Sequence, residues 1–286
     1  MTRPGATRID RAAPVDWDDA YANRAHIPDA DRVIAGWGRD APAFRDALGS
    51  RARLDLPYPG PLGDAARERF DLFLPEGTPK GLAVFLHGGY WMAFDKSAWS
   101  HLAAGPVARG WAVALPSYTL APAARIAEIT RQAAAAVAAA AAEVIGPVVV
   151  SGHSAGGHLA ARLLCTDADL PGDLRARLRR AVSISGLHDL RPLRRTAMNA
   201  TLRLDAAEAE AESPALRTPV EGARLTAWVG ADERPEFVRQ AELIAALWPG
   251  LGAATRLEIE PGRHHFDVIA GLSDPASALT AALLDD

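Results

Sequence analysis

Cysteine is almost missing from this chain. Cys165 is the only one in 286 residues. A lone thiol closes no intramolecular disulfide, so the fold must rest on its own core, and a reducing compartment, the cytoplasm, is the expected location. Cys165 sits in a Leu-Leu-Cys run and reads as a buried structural residue rather than a nucleophile. A basic excess is missing too. The 31 Lys and Arg face 35 Asp and Glu, a net charge of −4, which gives nucleic acid no footprint. No apolar run reaches the roughly 20 residues of a membrane span. The nearest candidate, Ala133–Ala142, is alanine with one valine, and alanine is the best helix former. The N-terminal stretch MTRPGATRIDRAAPVDWDD has no apolar segment of the signal-peptide kind. H-E-x-x-H, Cys/His clusters, G-x-G-x-x-G and the P-loop are all absent, so no metal and no cofactor is expected. His26, His101 and His188 lack partners at ligand spacing, and His153 and His158 are off-face for a helix pair.

What is present is ordinary globular composition, with 49% hydrophobic and 23% charged residues. A chain this long can bury about three-quarters of its unfolded surface as one domain. We expect a single domain over residues 1–286, with residues 1–15 frayed and 1–50 forming a helical cap over the site. Helical patterns cover Asp18–Arg24 and Asp29–Leu48, and a Pro/Gly loop spans 56–64. Strand patterns then fall at Arg69–Leu74, Gly81–Leu86, Trp111–Leu115, Val148–Ser151, Ala181–Ser185, Leu225–Val229 and Thr255–Ile259. Helical patterns lie between and after them, at Ala98–Arg109, Ile126–Val144, Ala155–Cys165, Pro235–Trp248 and Pro275–Leu284, and 187–222 reads as mixed short helices and loops. Such alternation predicts an α/β fold with a mostly parallel sheet covered on both faces. Sites in such sheets lie beyond the carboxyl ends of the strands.

The residues there carry chemistry. Gly152-His153-Ser154-Ala155-Gly156 is G-x-S-x-G between a strand and a helix, the pattern of a nucleophile elbow. So sharp a turn needs small residues two positions to either side of the serine, hence Gly152 and Gly156. A serine hydroxyl needs a base, and the base an orienting acid, which in this architecture follow in the order Ser, acid, His. Asp232 and Glu233 compete for the acid after one strand. His264 and His265 compete for the base after the next, and His265, beside Phe266, is preferred. His87-Gly88-Gly89-Tyr90 follows a buried strand and reads as an oxyanion loop. The amides of Gly89, Tyr90 and Ala155 are the expected donors, with His87 holding the loop. Aromatics crowd after it: Tyr90, Trp91, Phe94 and Trp99, in a chain of only 7 Trp, 4 Tyr and 7 Phe. Trp91 and Tyr118 are the expected substrate contacts, whereas Trp99 is expected to pack the loop onto the N-terminal helices.

The stretches "HGGYW" (87–91), "SYTLAP" (117–122), "GHSAGGHLAARLL" (152–164), "SGLHDLRPL" (185–193), "ERPEFVRQ" (233–240) and "HHFDVI" (264–269), with "YANR" (21–24), cover most of residues 16–270. Together they make the chain resemble an α/β-hydrolase of the kynurenine formamidase (arylformamidase) type, among the hormone-sensitive-lipase-like esterases. The resemblance places the nucleophile on Ser154, the base on His265 before the phenylalanine, and the acid on Glu233, just before the x-P-E-F segment. It implies a cofactor-free hydrolase acting on small molecules, namely N-formylkynurenine, related aryl formamides or small esters. A broad short-chain carboxylesterase is the alternative, and a non-catalytic ligand-binding hydrolase fold a third. The sequence leaves homodimer formation open.

Overall fold

The computed structural model describes residues 15–285. The expected frayed tail therefore lies outside the described residues, except for its last position. Among the described residues one eight-stranded sheet runs in the order β1-β2-β4-β3-β5-β6-β7-β8. The strands are β1 (Ala52–Pro57), β2 (Arg69–Phe73), β3 (Leu82–Leu86), β4 (Ala112–Pro116), β5 (Val148–His153), β6 (Leu178–Ile184), β7 (Arg224–Gly230) and β8 (Ala254–Glu260). β1–β2 and β2–β4 pair antiparallel, and every other pair is parallel.

The apolar strands bury both faces. In β3, Leu82, Val84 and Leu86 enter one core and Ala83 and Phe85 the other, as a side-chain period of two requires. The helix Ile126–Glu143 packs its alanines into the first core. The helix Ala278–Leu284 and the N-terminal helix Ala30–Leu48 contribute Leu279, Leu283, Trp37 and Leu48 to the second. Among the described residues no helix is long and apolar enough to cross a membrane.

Several elements depart from expectation. A short helix, Gly172–Arg177, falls where none was expected, and the helical pattern at Asp18–Arg24 divides into Trp17–Ala20 and a turn at Asn23–His26. Two further differences have a plain cause. β1 falls where the sequence suggested the approach to a loop. It is an exposed edge strand in which Asp55 has φ 58°, and the register shifts between Arg53 and Leu56. The single helix expected over Ala98–Arg109 is a chain of short turns, Lys96–Ala98, Ser100–Ala103 and Ala104–Ala108. Pro106 has no N–H to continue a helix begun at residue 98.

Register places the site. Leu86 of β3 pairs with Gly152 of β5, and His153 of β5 with Ile184 of β6. Ile184 pairs with Trp228 of β7, and Gly230 of β7 with Glu260 of β8. The carboxyl ends of β3, β5, β6, β7 and β8 therefore end side by side. The segments that leave them carry His87–Gly89, Ser154, Ser185, Glu233 and His265.

Candidate active site

Ser154 links β5 to the helix Ala155–Arg162 with φ 55° and ψ −115°, a conformation that costs backbone energy in any L-residue. Two contacts leave the chain no wider turn. A Cβ on Gly152 would lie 2.1 Å from the Gly156 carbonyl oxygen, and one on Gly156 would lie 1.9 Å from that of Leu86. Any side chain at either position would have to push the helix off the sheet. The Ala155 amide opens that helix, at the positive end of its dipole.

The His87–Tyr90 loop, the candidate for an oxyanion loop, lies against this corner. Gly89 has φ 111°, and an added Cβ would lie 2.4 Å from the Ala93 oxygen. The Gly89 carbonyl accepts from the amides of Met92 and Ala93 at 2.9 and 3.0 Å, which closes the loop into a tight turn. His87 braces it from below. Its Nδ1–H donates to the Gly88 carbonyl at 2.8 Å, and its ring stacks on Tyr118 at 4.2 Å with 8° between the planes.

Glu233 and His265 meet behind the serine. His265 Nδ1 lies 2.6 Å from Glu233 Oε2, with both side chains buried. The other carboxylate oxygen, Oε1, accepts from Ser185 Oγ at 2.5 Å and from the Gly230 amide at 2.8 Å. The carboxylate is thus held by three donors in fixed directions. Asp232, the competing acid, is exposed. His264 turns away: its Nδ1 accepts from the amides of Phe266 and Asp267, and it serves as a turn cap. His153 Nε2–H donates to the carbonyl of His265 at 2.8 Å, and the two rings sit 4.6 Å apart.

Ser154 and His265 line one cavity of about 650 Å³. Gly89 and Tyr90, with Phe94 after them, Trp99 and Phe266 line it too, as do Tyr21–Ala25, Ile34 and Trp37 from the N-terminal region. Trp37 meets Trp99 at 4.5 Å, Phe266 at 5.5 Å and Phe94 at 6.1 Å between ring centroids. Trp99 therefore does pack the loop onto the N-terminal helix, as expected, and also forms cavity wall.

Polar ties fix the N-terminal segment to both loops of the site. Tyr90 Oη donates to the Tyr21 carbonyl at 2.7 Å, Tyr21 Oη donates to Glu236 at 2.9 Å, and Arg234 pairs with Asp19.

Trp91 and Tyr118 are corrections. Neither is part of the cavity lining; both are buried in the core. Tyr90 and Trp91 have consecutive positive φ values of 50° and 56°. Trp91 lies edge-on to His158, 5.1 Å away. Tyr118 stacks beneath His87 and donates to its carbonyl at 2.8 Å, so it supports the His87–Tyr90 loop from behind.

Sequence reasoning missed Ser185, His153, Trp37 and Phe266. Ser185 showed only as the last residue of a strand and the first of the "SGLHDLRPL" stretch, and no short spacing tied it to Glu233. His153 occupies the variable position of G-x-S-x-G, which carries no signal by itself.

Burial sets the charge of the histidines around this frame. Desolvation pushes His87 and His188 down to about 4, His158 to about 3, and His153 well below the usual 6.5. The folded protein refuses protons that the unfolded chain accepts below about pH 6.5, so unfolding takes up protons. The stability contribution is complete above pH 6.5 and is lost as the pH falls toward 4. We predict that urea unfolding at pH 5.5 shows stability lower than at pH 7.5 by on the order of 1 kcal/mol per buried histidine. Equal midpoints at the two pH values would refute this.

Among the described residues no three His, Cys, Asp or Glu side chains gather to hold a metal ion. Residues 83–284 match the alpha/beta hydrolase family. The kynurenine formamidase of Danio rerio is 30% identical over 240 residues, covering 81% of this chain and 80% of that one. A crystal structure from Silicibacter sp. TM1040, provisionally named a thioesterase, is 50% identical and superposes with a TM-score of 0.87, covering 94% of this chain and 99% of that one. An esterase from Pyrobaculum calidifontis, 18% identical, shares the fold with a TM-score of 0.66 over 90% of this chain and 91% of its own. With this sheet, this serine corner and these relatives, the chain belongs to the alpha/beta hydrolase family, on its kynurenine formamidase-like branch, and is a hydrolase.

Proposed function

We propose that Ser154, His265 and Glu233 act as nucleophile, base and orienting acid in a serine hydrolase that cleaves aryl formamides such as N-formylkynurenine. The observation that carries this reading is the Glu233–His265 contact of 2.6 Å behind a cavity that also holds Ser154 and a cluster of aromatic rings. The carboxylate accepts the Nδ1 proton and so keeps His265 Nε2 unprotonated, ready to receive the Ser154 proton. The alkoxide oxygen attacks the formyl carbon. The negative charge passes to the carbonyl oxygen, where the amides of Gly89, Tyr90 and Ala155 receive it. Collapse breaks the C–N bond as His265 returns the proton to the departing aryl amine. Water, deprotonated by His265, then releases formate from Ser154. The residues before β1, which line the cavity, act as its cap.

The aromatic wall of Trp37, Phe94, Trp99 and Phe266 suits a flat ring on the leaving group. A second reading, hydrolysis of small esters or thioesters by the same acyl-enzyme route, is favoured by the 50% identical relative provisionally named a thioesterase. Values of kcat/KM on N-formylkynurenine, p-nitrophenyl acetate and an S-aryl thioacetate separate the two. The formamide should be the preferred substrate. An ester or thioester preferred by several orders of magnitude would end the formamidase reading.

A further inference from the structure

Three residues of this mostly apolar cavity wall carry buried polar atoms with no partner among the described residues: Asn23 Oδ1, Trp99 Nε1 and His153 Nδ1. His153 Nδ1 faces the oxyanion loop, where even a methyl group on Gly88 would come within 3.1 Å of it. The Trp99 indole is wedged between Trp37 and Phe85. Asn23 is different, because its environment fixes which way its amide faces.

Asn23 is 5% exposed. One end of its amide lies 3.3 Å from Tyr90 Oη. That hydroxyl has a single proton, which it donates to the Tyr21 carbonyl at 2.7 Å. Toward Asn23 it offers only lone pairs, so the Asn23 atom facing it must be the NH₂ group. A flipped amide would set two acceptors against each other. Oδ1 is therefore a fixed acceptor, and a buried acceptor left bare is disfavoured until a donor reaches it. Asn23 lies in the "YANR" segment, which is tied to the oxyanion loop through Tyr90.

We propose that Asn23 is a specificity-determining residue: its Oδ1 accepts a hydrogen bond from an N–H on the aromatic part of the substrate. This deepens, and rests on, the arylformamide reading, in which the donor is the anilide N–H. When His265 protonates the departing nitrogen, the N–H groups on it become stronger donors. The bond to Oδ1 then tightens as the C–N bond breaks, which is where binding accelerates a reaction. An ester presents oxygen at that position and leaves the acceptor unmet.

The test compares formanilide with phenyl formate, which differ at the linking atom. It uses the full chain as wild type, as Asn23→Leu and Asn23→Ala, which remove the acceptor, and as Tyr90→Phe, which removes the Asn23 partner and keeps Oδ1. Both Asn23 variants should lose about tenfold or more in kcat/KM on formanilide. Phenyl formate should change by less than about threefold, the loss expected from weakening one neutral hydrogen bond. Tyr90→Phe frees the Asn23 amide to flip, so it should lower formanilide more than phenyl formate, by less than the Asn23 variants do. Parallel losses on the two substrates in the Asn23 variants, or no loss on either, would overturn the proposal. If the wild type cleaves phenyl formate and not formanilide, the arylformamide reading itself falls. The pair 3-aminophenyl acetate and phenyl acetate then decides on Asn23: a loss confined to the amino ester sustains its role, and a parallel change removes it.

Discussion

Replacing Ser154 with alanine is expected to lower kcat about 10⁶-fold and to abolish labelling by a fluorophosphonate probe. The size follows from how the corner is built. Ser154 carries the strained φ of 55° on a turn that the Gly152 and Gly156 contacts leave no room to relax. Alanine adopts the same backbone at the same cost, so the fold should persist and thermal unfolding should shift little. What disappears is the hydroxyl oxygen proposed to form the covalent intermediate. The amides of Gly89, Tyr90 and Ala155 remain, and on the proposed mechanism they still polarise a bound carbonyl. Some turnover above the uncatalysed rate is therefore expected. Retention of activity within tenfold, or persistent labelling, would remove Ser154 from the mechanism. If the wild type binds aromatic ligands but fails to label, the cavity would be a binding site on a hydrolase fold.

The sequence made this corner readable because its constraint is local. A five-residue pattern, a valine-rich strand before it and an apolar helical run after it are all contiguous, and β5 and the helix Ala155–Arg162 stand where the pattern put them. The buried strands β3 to β7 were readable for a similar reason, since a strand covered on both faces is apolar at nearly every position. β1 was not. Its residues are exposed and charged, and it pairs through an irregular register that only its neighbour β2 defines.

Side-chain direction was the second gap. Trp91 stands between Tyr90 and Met92, both of which line the cavity, yet its own ring is buried on the other side. Two successive left-handed residues decide that, and sequence does not announce them outside glycine. The cavity wall drew instead on Trp37 and Phe266, far from the loop in sequence. Long-range partnership hid Ser185 in the same way: it meets Glu233 across 48 positions of chain.

Glu233→Gln should cut kcat by about 10⁴-fold while Asp232→Asn changes it by less than about threefold. The asymmetry lies in what surrounds each acid. Asp232 is exposed, so its substitution alters only a solvated charge. At Glu233 the environment dictates how a glutamine must sit. The Oε1 position receives two donors, the Ser185 hydroxyl and the Gly230 amide, so the glutamine carbonyl oxygen belongs there. Its NH₂ group is then turned toward His265 Nδ1, in place of the carboxylate oxygen 2.6 Å away. A donor at that point forces Nδ1 to accept and moves the imidazole proton to Nε2. The base then faces Ser154 with a proton already in place and cannot take another without becoming charged, with no carboxylate behind it to stabilise that charge. Because the two bonds at Oε1 survive, the variant should fold, and the loss should appear in kcat with KM little changed. Measuring both variants on one good ester substrate gives the answer whichever natural substrate the enzyme has. A large loss in Asp232→Asn with a small one in Glu233→Gln would transfer the acid's role to Asp232 and break the geometric argument made for His265.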